Sequence, residues 1–254
     1  MELPYGIPSH DIFERVFARI DPKQFQKCFA SWTKSISGVF SGVIAIDGQT
    51  HRGAKKNGET KSAVHMVSAW AAGLRMVIAQ TKVGEKTNEI TAIPEVLRLL
   101  DLKGCIVTID AMGCQQAIAR QIIDQGGDYI LGLKGNQGLT LEAVEEHFST
   151  TSESVFEIHT EVDKGHGRIE DRKYYASEAK SVCDMKEWPG INSVIKVTSS
   201  RELKGVKTPE DRFYISSMKA KLVQQIGDGI RAHWGLKTVY ITSLTSPSGR
   251  IKAE

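Results

Sequence analysis

The sequence predicts an α/β fold: a mixed sheet with flanking helices, a β-rich insertion and an N-terminal helical hairpin. Two observations support this prediction. From residue 40 onward, apolar segments rich in β-formers and amphipathic segments follow one another as three strands, helix, strand, helix, strand. The residues before that point have helical periodicity, and those after residue 139 are mostly short strand-like pieces between charged stretches.

Residues 1–36 predict two short helices. The segment DIFERVFARI has an apolar face, and Asp11 with Glu14 fits a capping box at its start. A second helix then begins with Asp21 as N-cap and Pro22 at the first helical position. A DNA-reading helix pair and a helical hairpin docked on a larger domain both fit this pattern. We favour the docked hairpin, because so short a unit cannot bury its aromatic face alone.

The next hundred residues or so predict five strands and two helices. GVIAIDG, SAVHMVSAWAAG and LRMVIAQTKVG are strand-like, and TAIPEVLRLLDLKG is helical. CIVTIDAMG, CQQAIARQIIDQGG and DYILGLKG then read as strand, helix and strand. Consecutive strands with short turns pair antiparallel, and strand–helix–strand units form parallel crossovers. This mixed order is the ribonuclease-H-like arrangement.

The C-terminal part divides into an insertion, a helix and a tail. Residues 139–212 predict a mainly β insertion within a domain that spans 37–236. The segment KAKLVQQIGDGIRAHWGL begins another helix, with apolar residues at spacings of four. The helical pattern ends at Leu236, and the Thr- and Ser-rich residues 237–254 are predicted to be a disordered tail.

Composition sets few limits on function. The 254 residues are 41% hydrophobic and 25% charged, which is typical of a globular protein, and the net charge of +3 permits nucleic-acid binding without arguing for it. The four cysteines have no short paired spacing, which favours free thiols over a disulfide framework or a zinc site. No apolar run has the length of a membrane span, and the N-terminus has no signal-peptide pattern. We expect a cytoplasmic protein without a membrane partner.

Two aspartates are the strongest candidates for a catalytic site. Asp47 and Asp110 each close an apolar strand, VIAID and IVTID, and strand ends are where α/β sheets form ligand sites. In the predicted topology these two strands are neighbours, so both carboxylates could bind Mg²⁺ or Mn²⁺. Taken singly, each aspartate is better explained as a turn residue or a helix cap than as a metal ligand. Their joint occurrence on adjacent strands favours a metal site.

Several longer motifs resemble one family. AIDGQTHRG, EKTNEITAIPEVLRLLDLKGCIVTIDAMGCQ, GGDYILGLKGNQG, GHGRIEDRKYY and RAHWGL are similar to the insertion-sequence transposases of the DDE class, in the H-repeat-associated group. The resemblance runs from about Gly6 to Leu236. It implies a ribonuclease-H-like catalytic domain in which Asp47 and Asp110 are the first two acids of the triad and bind two Mg²⁺ or Mn²⁺ ions. The first two helices resemble the end of the family's N-terminal accessory region, most of which this chain lacks.

Other polar residues near these motifs are weaker candidates for contacts with DNA. Lys134 and Asn136 follow the fifth strand, near the same sheet end as the aspartates, and a solvated turn explains them equally well. Lys164, His166 and Arg168 lie in the basic loop KGHGR, for which an exposed hairpin tip is the alternative explanation. His51 and Arg52 lie shortly after the first aspartate.

The third acid of the family is absent at its expected place. The resemblance puts this glutamate directly after HWGL, where Lys237 stands. A lysine cannot bind Mg²⁺ at neutral pH, and its charge would repel the ion. Deleting one nucleotide from codons for Glu-Asn-Ser-Leu-His yields Lys-Thr-Val-Tyr-Ile, which is the sequence of residues 237–241. We therefore expect residues 237–254 to be translated out of frame.

The sequence thus predicts DNA transposition by metal-dependent cleavage and strand transfer, in a truncated and inactive copy. The partners implied by the resemblance are element-end DNA and target DNA, and a homodimer is left open. One alternative is a non-catalytic DNA-binding remnant that competes with intact transposase. Others are a nuclease with a substitute acid, Glu89 or Glu170, and a chain that folds poorly.

Overall fold

A computed structural model describes residues 6–21, 42–51, 64–84, 88–165, 168–182, 185–203 and 206–245, and residues 24–25, 28–29, 31–32 and 35 between them. This part of the chain contains nine strands and five α-helices. The strands are β1 (Val43–His51), β2 (Val64–Ala71), β3 (Met76–Lys82), β4 (Ile106–Ile109), β5 (Asp128–Leu133), β6 (Glu157–Gly165), β7 (Arg168–Glu178), β8 (Ser193–Leu203) and β9 (Val206–Ser216). The helices are α1 (His10–Phe17), α2 (Glu89–Arg98), α3 (Gln116–Asp124), α4 (Gly138–Thr150) and α5 (Val223–Thr245).

The nine strands form one mixed sheet in the order β3-β2-β1-β4-β5-β9-β8-β7-β6. β1, β2 and β3 pair antiparallel, whereas β4 lies parallel to both β1 and β5. The predicted ribonuclease-H-like mixed sheet is therefore confirmed for the first five strands. β9 then pairs antiparallel with β5 and continues the sheet.

Hydrophobic cores cover the two faces of the sheet. α2, α3 and α4 pack on one face, with buried side chains that include Ile44, Val107, Leu131 and Ile118. α5 covers the other face, where Ile130, Tyr174, Ile195, Ile226 and Ile230 are buried. Because both faces are covered, the short parallel strands β4 and β5 are mostly apolar, as is typical of buried parallel strands.

The ends of α2 and α3 follow the sequence signals. The side chain of Asn88 caps α2 by accepting a hydrogen bond from the Thr91 amide at 3.2 Å. Gly104 and Gly126 follow α2 and α3 with positive φ angles of 73° and 76°, a conformation that favours glycine. These turns deliver β4 and β5 to the centre of the sheet, in the register that places the two aspartates.

The predicted insertion differs from the structure at its start. Residues Gly138–Thr150 form α4 instead of strands, because Leu141, Val144 and Phe148 recur at helical spacing and pack on the core. The rest of the predicted insertion is β-rich as predicted, because it consists mainly of the four strands β6–β9. They extend the central sheet through the β5–β9 pair, so they are not a separate β unit.

The predicted end of the last helix at Leu236 is wrong. α5 runs without interruption to Thr245, so residues 237–245 have a helical backbone where we expected disorder. The physical reason is that the segment from Lys237 to Thr245 contains neither glycine nor proline, whereas Pro247 and Gly249 follow shortly after it. Residues 246–254 lie outside the described part of the chain.

The N-terminal segment is described only in part. The first predicted helix is present as α1, and most of the second lies outside the described residues. No residue of α1 is buried, and its apolar side chains are between 43% and 61% exposed: Ile12, Phe13, Val16 and Phe17. The expected packing of this helix on the larger domain is therefore not seen in the described part of the chain. No helix in that part is long and apolar enough to span a bilayer.

Candidate active site

Asp47 and Asp110 occupy consecutive positions of neighbouring parallel strands. The last residue pair between β1 and β4 joins Ile46 with Ile109, and the two aspartates come next in each strand. Asp47 lies within β1, which continues beside β2, and it is 8% exposed. Asp110 is the first residue after β4. The strand register therefore brings these carboxylates to one place at the carboxyl end of β4.

Asp110 also caps a short 3-10 turn, Ala111–Gly113. Its Oδ1 accepts a hydrogen bond from the Met112 amide at 3.1 Å, and its main-chain oxygen accepts one from Gly113. The sequence raised Asp110 as a cap of the following helix; the structure shows it capping this turn, and Gln115 is the N-cap residue of α3. Capping is compatible with a metal-binding role, because a carboxylate has two oxygens and about four lone-pair sites.

Two glutamates could replace the missing acid, and they lie at very different places. A Cβ built on Gly48 would lie 2.1 Å from Cδ of Glu89, so the Glu89 carboxyl group packs against the backbone beside Asp47. Any side chain at position 48 would displace it. Glu170 lies on β7, four strands away from β4 in the sheet, and forms an ion pair with Arg172. At about 4.8 Å per strand, Glu170 is too far from Asp110 to bind the same metal ion.

α5 approaches β4 and β5 closely through a glycine. A Cβ on Gly229 would lie 2.7 Å from Cδ1 of Ile130, so only glycine permits this distance. One turn later the buried His233 places Nδ1 3.2 Å from Oγ1 of Thr108 on β4. The helix continues for another turn to position 237, a rise of about 6 Å. On β4, Asp110 is two residues beyond Thr108, a distance of about 6.6 Å along the strand. Counted from the contact between His233 and Thr108, the backbone at position 237 is therefore level with Asp110.

A cavity of about 430 Å³ opens at the carboxyl ends of β4 and β5. Asp110, Lys134 and His233 line it, together with Trp234, whose ring packs against the Arg212 guanidinium at 4.2 Å. The ends of β4 and β5, which carry Asp110 and Lys134, thus face one concave surface, and Asp47 is not among the residues that line it.

Comparison with protein families identifies this arrangement. The Transposase DDE domain family matches residues 39–248, and a DDE_Tnp_1-associated family matches residues 1–33. The chain belongs to the DDE transposase family. The resemblance found in its motifs is thereby confirmed.

The transposase relatives are about 40% identical to this chain. An "Uncharacterized protein in dhlA 3'region" of Xanthobacter autotrophicus is 42% identical over 224 residues, which cover 87% of this chain and 76% of that protein. "Putative transposase YncI" of Escherichia coli O157:H7 is 42% identical over 90% of this chain and 60% of its own length. "H repeat-associated putative transposase YhhI" of Escherichia coli K12 is 39% identical over 90% of this chain and 63% of its own length. The chain therefore spans less than two thirds of the two named transposases.

The acids of this transposase fit a metal site only in part. DDE transposases generally use divalent metal ions, and two adjacent carboxylates are the hard oxygen ligands that Mg²⁺ and Mn²⁺ prefer. Within the described residues, however, no three His, Cys, Asp or Glu side chains come together as a metal site requires. Asp47 and Asp110 fit two of the expected ligands, and the position level with Asp110 on α5 is Lys237.

The weaker candidates for DNA contact separate into two places. Lys134 is exposed, lines the cavity with Asp110 and precedes the turn Gly135–Gln137. Lys164 and Arg168 flank the tip of the β6–β7 hairpin, and His51 ends β1. Arg52 and His166 lie outside the described residues. None of these positions is tested as a DNA contact by the fold alone.

Asn136 has a contact that its sequence position did not indicate. Its side-chain amide donates a hydrogen bond to the main-chain oxygen of Ala111 at 2.7 Å, within the turn that Asp110 caps. The next residue, Gln137, donates to the main-chain oxygen of Cys114 at 2.8 Å. Sequence reasoning missed Gln137 altogether, and only its place in the motif LKGNQ pointed towards it.

Proposed function

We propose that this transposase chain derives from an enzyme of DNA transposition that cleaves phosphodiester bonds at element ends and transfers the strand to target DNA. The observation that carries this proposal is the consecutive register of Asp47 and Asp110 on adjacent parallel strands. Both carboxylates would hold Mg²⁺ or Mn²⁺, which when bound would stabilise charge on the attacking and leaving oxygens of the phosphodiester. Asp47 is fixed within a sheet strand and Asp110 by its turn, so both ligands are held in place before substrate binds.

The geometry of the hairpins supports DNA as the partner. Successive strand pairs put Ile158 of β6 level with Leu133, the last residue of β5. Lys164 is six residues further on, so the β6–β7 tip extends about 20 Å beyond the strand end beside Asp110. The β8–β9 hairpin extends in the same direction. A duplex bound across the site would meet these tips, where basic side chains would contact phosphates.

Lys237 is the reason for proposing that this chain is inactive. By resemblance the third acid belongs at position 237, and the α5 backbone there is level with Asp110. A lysine removes one anionic ligand and adds one cation close to where the metal charge would lie. We infer that metal affinity and cleavage are both severely reduced.

The cleavage proposal is tested with supercoiled plasmid DNA and Mn²⁺ as probes. We expect no nicking by the chain and nicking by Lys237→Glu. Lys237→Gln is the matched control, because it removes the cation without supplying a carboxylate. Adding Asp110→Asn to Lys237→Glu is expected to abolish nicking. Nicking by the unaltered chain that persists after Asp47→Asn and Asp110→Asn would refute the proposed site.

We further propose that residues 237–254 are translated in a shifted reading frame. The single-nucleotide deletion that converts Glu-Asn-Ser-Leu-His codons into those of residues 237–241 supports this. A helical backbone through Thr245 is compatible with it, because an out-of-frame segment without glycine or proline can still form a helix. The nucleotide sequence after the Leu236 codon decides the matter. A second frame that begins with Glu-Asn would support the shift, and its absence would make Lys237 a native residue.

A non-catalytic DNA-binding function is the second candidate, and the hairpins favour it. Their tips do not depend on position 237, so DNA binding would survive the loss of cleavage and could compete with intact transposase. A gel-shift assay with duplex DNA, compared with the nicking assay on the same preparation, separates the two functions.

A further inference from the structure

Two amide side chains connect the turn after β5 to the turn after β4. The Asn136 and Gln137 amides donate to the main-chain oxygens of Ala111 and Cys114, at 2.7 and 2.8 Å. These two oxygens belong to the first residue and to the C-cap residue of the 3-10 turn that Asp110 caps. Gln137 is itself held, because its main-chain amide donates to the Lys134 oxygen at 2.9 Å.

The turn that receives these bonds is tightly enclosed on its other sides. A Cβ on Gly113 would lie 2.3 Å from Cγ2 of Ile109 and 2.7 Å from Cδ1 of Ile93. A Cβ on Gly132 of β5 would lie 3.3 Å from the Ala111 amide nitrogen. Ala111 and Cys114 are both buried. The core therefore fixes the inner side of the turn, and the two amides fix the side that faces solvent.

We propose that Asn136 and Gln137 are positioning residues that hold the Asp110 turn in the geometry needed for metal binding. The role of Asp110 as a ligand rests on the proposed function, whereas the role of the amides in holding the turn does not. Neither side chain needs to touch metal or DNA. Asn136, considered above as a DNA contact, directs its amide towards the protein.

The first test measures the turn without any metal. Cys114 is fully buried under the turn, whereas Cys105 is buried at the start of β4, at the opposite end of that strand. Alkylation of each thiol in the folded chain is followed by peptide mass spectrometry. We expect Asn136→Ala and Gln137→Ala to increase the Cys114 rate at least tenfold and to leave the Cys105 rate unchanged.

A matched control removes the same kind of bond elsewhere. The Gln121 amide donates to the Pro94 main-chain oxygen at 3.1 Å, between α3 and α2. Gln121→Ala is expected to leave the ratio of Cys114 to Cys105 labelling unchanged. If Gln137→Ala fails to fold, Gln137→Met keeps the approximate length and volume of the side chain and removes the donor without adding a charge. An equal increase for both cysteines, or none for Cys114, would overturn the proposal.

The second test measures Mn²⁺ affinity by water-proton relaxation, in the Lys237→Glu chain. We expect Asn136→Ala and Gln137→Ala to weaken Mn²⁺ binding about tenfold and Gln121→Ala to have no effect. If Asp110→Asn abolishes binding while the amide variants leave it unchanged, the proposed function stands and the positioning role fails. If Lys237→Glu binds no Mn²⁺, the proposed metal site fails, and the cysteine labelling alone decides whether the amides hold the turn.

Discussion

The two parts of the sheet differ in what they bury. In the inner sheet, β1–β5, the central strands are covered on both faces, and Ile44, Ala45, Val107 and Thr108 are at most 2% exposed. In the extension, β6–β9, charged side chains alternate with apolar ones, and Val162 is 57% exposed. Both candidate metal ligands lie in the inner sheet. The acids that must be held rigidly are thus built into the core, and the residues proposed to meet DNA are on strands that tolerate charge.

The extension shares a buried core with α5 through Tyr174 and Ile195, and its more exposed positions form ion pairs. Lys196 on β8 forms an ion pair with Asp211 on the neighbouring strand β9 at 2.9 Å. Within β9, Arg212 forms an ion pair with Glu210 at 2.9 Å. The edge strand β6 carries Glu157, Glu161 and Asp163, and charge on an edge strand disfavours pairing with another sheet. Exposed pairs of this kind contribute little free energy each. We therefore expect mutations of buried residues in the inner sheet to affect stability and mutations of exposed residues in the extension to affect binding.

The largest effect is expected from removing a core side chain of the inner sheet. Leu131, at the centre of β5, is fully buried, so Leu131→Ala should lower the free energy of unfolding by about 2–5 kcal/mol. Val162→Ala in the extension should change it by less than about 0.5 kcal/mol, because the side chain is largely in water already. Urea denaturation followed by circular dichroism measures both. Equal losses in the two variants would mean that the sheet is a single packing unit without this difference.

The second effect concerns DNA binding by the extension. Lys164→Glu with Arg168→Glu should weaken binding to duplex DNA and reduce the slope of log affinity against log salt by about 2, since each phosphate contact contributes roughly 0.9. Lys103→Glu with Lys219→Glu is the matched control, because these exposed lysines lie at the other end of the sheet. Fluorescence anisotropy at several salt concentrations gives both slopes. A control pair that weakens binding equally would show that net charge, and not the hairpin, attracts DNA.

These differences explain how far the sequence was informative. Strand ends and strand order predicted Asp47 and Asp110 together, since both follow from local periodicity and one topological rule. The contact of Glu89 with Gly48 could not be predicted, because it joins segments whose packing depends on the whole fold. Gln137 was missed for a related reason: a side-chain amide that binds a distant main-chain oxygen leaves no periodic signal.

The helices illustrate the same limit. The few apolar residues of α4, Leu141, Val144 and Phe148, lie among charged residues, so the sequence pattern there favours a β insertion over a helix. The Thr- and Ser-rich composition after Leu236 predicts disorder, whereas α5 continues to Thr245. In α5 the absence of glycine and proline from Lys237 to Thr245 is the more informative signal, and in α4 it is the helical spacing of Leu141, Val144 and Phe148.

A smaller effect is expected where α5 connects the two parts of the sheet. Arg231 of α5 forms ion pairs with Glu161 at 3.1 Å and Asp163 at 2.6 Å on β6. Because the Arg231 side chain is 43% exposed, Arg231→Ala should cost only about 0.5–1 kcal/mol. Lys173→Ala, which breaks the exposed pair with Glu153, should cost less. A double-mutant cycle of Arg231→Ala with Glu161→Gln measures the coupling, and zero coupling would mean that the Arg231–Glu161 pair does not stabilise the packing of α5 on β6.

The smallest effect is a pH dependence at the boundary between the two parts. His147 of α4 shares a hydrogen bond with Ser177 of β7 at 2.8 Å, and burial lowers the pKa of its imidazole below the ordinary value of 6.5. The unfolded chain therefore binds more protons than the folded chain between these two pKa values. His147 should thus cost stability as pH falls below about 6.5, and this cost should disappear as pH rises above it. The difference in unfolding free energy between the chain and His147→Gln, measured from pH 5 to 8, should be constant at high pH and should shift in favour of His147→Gln as pH falls below about 6.5. Parallel curves would show that His147 titrates identically in both states, and that the boundary is as open to solvent as the extension itself.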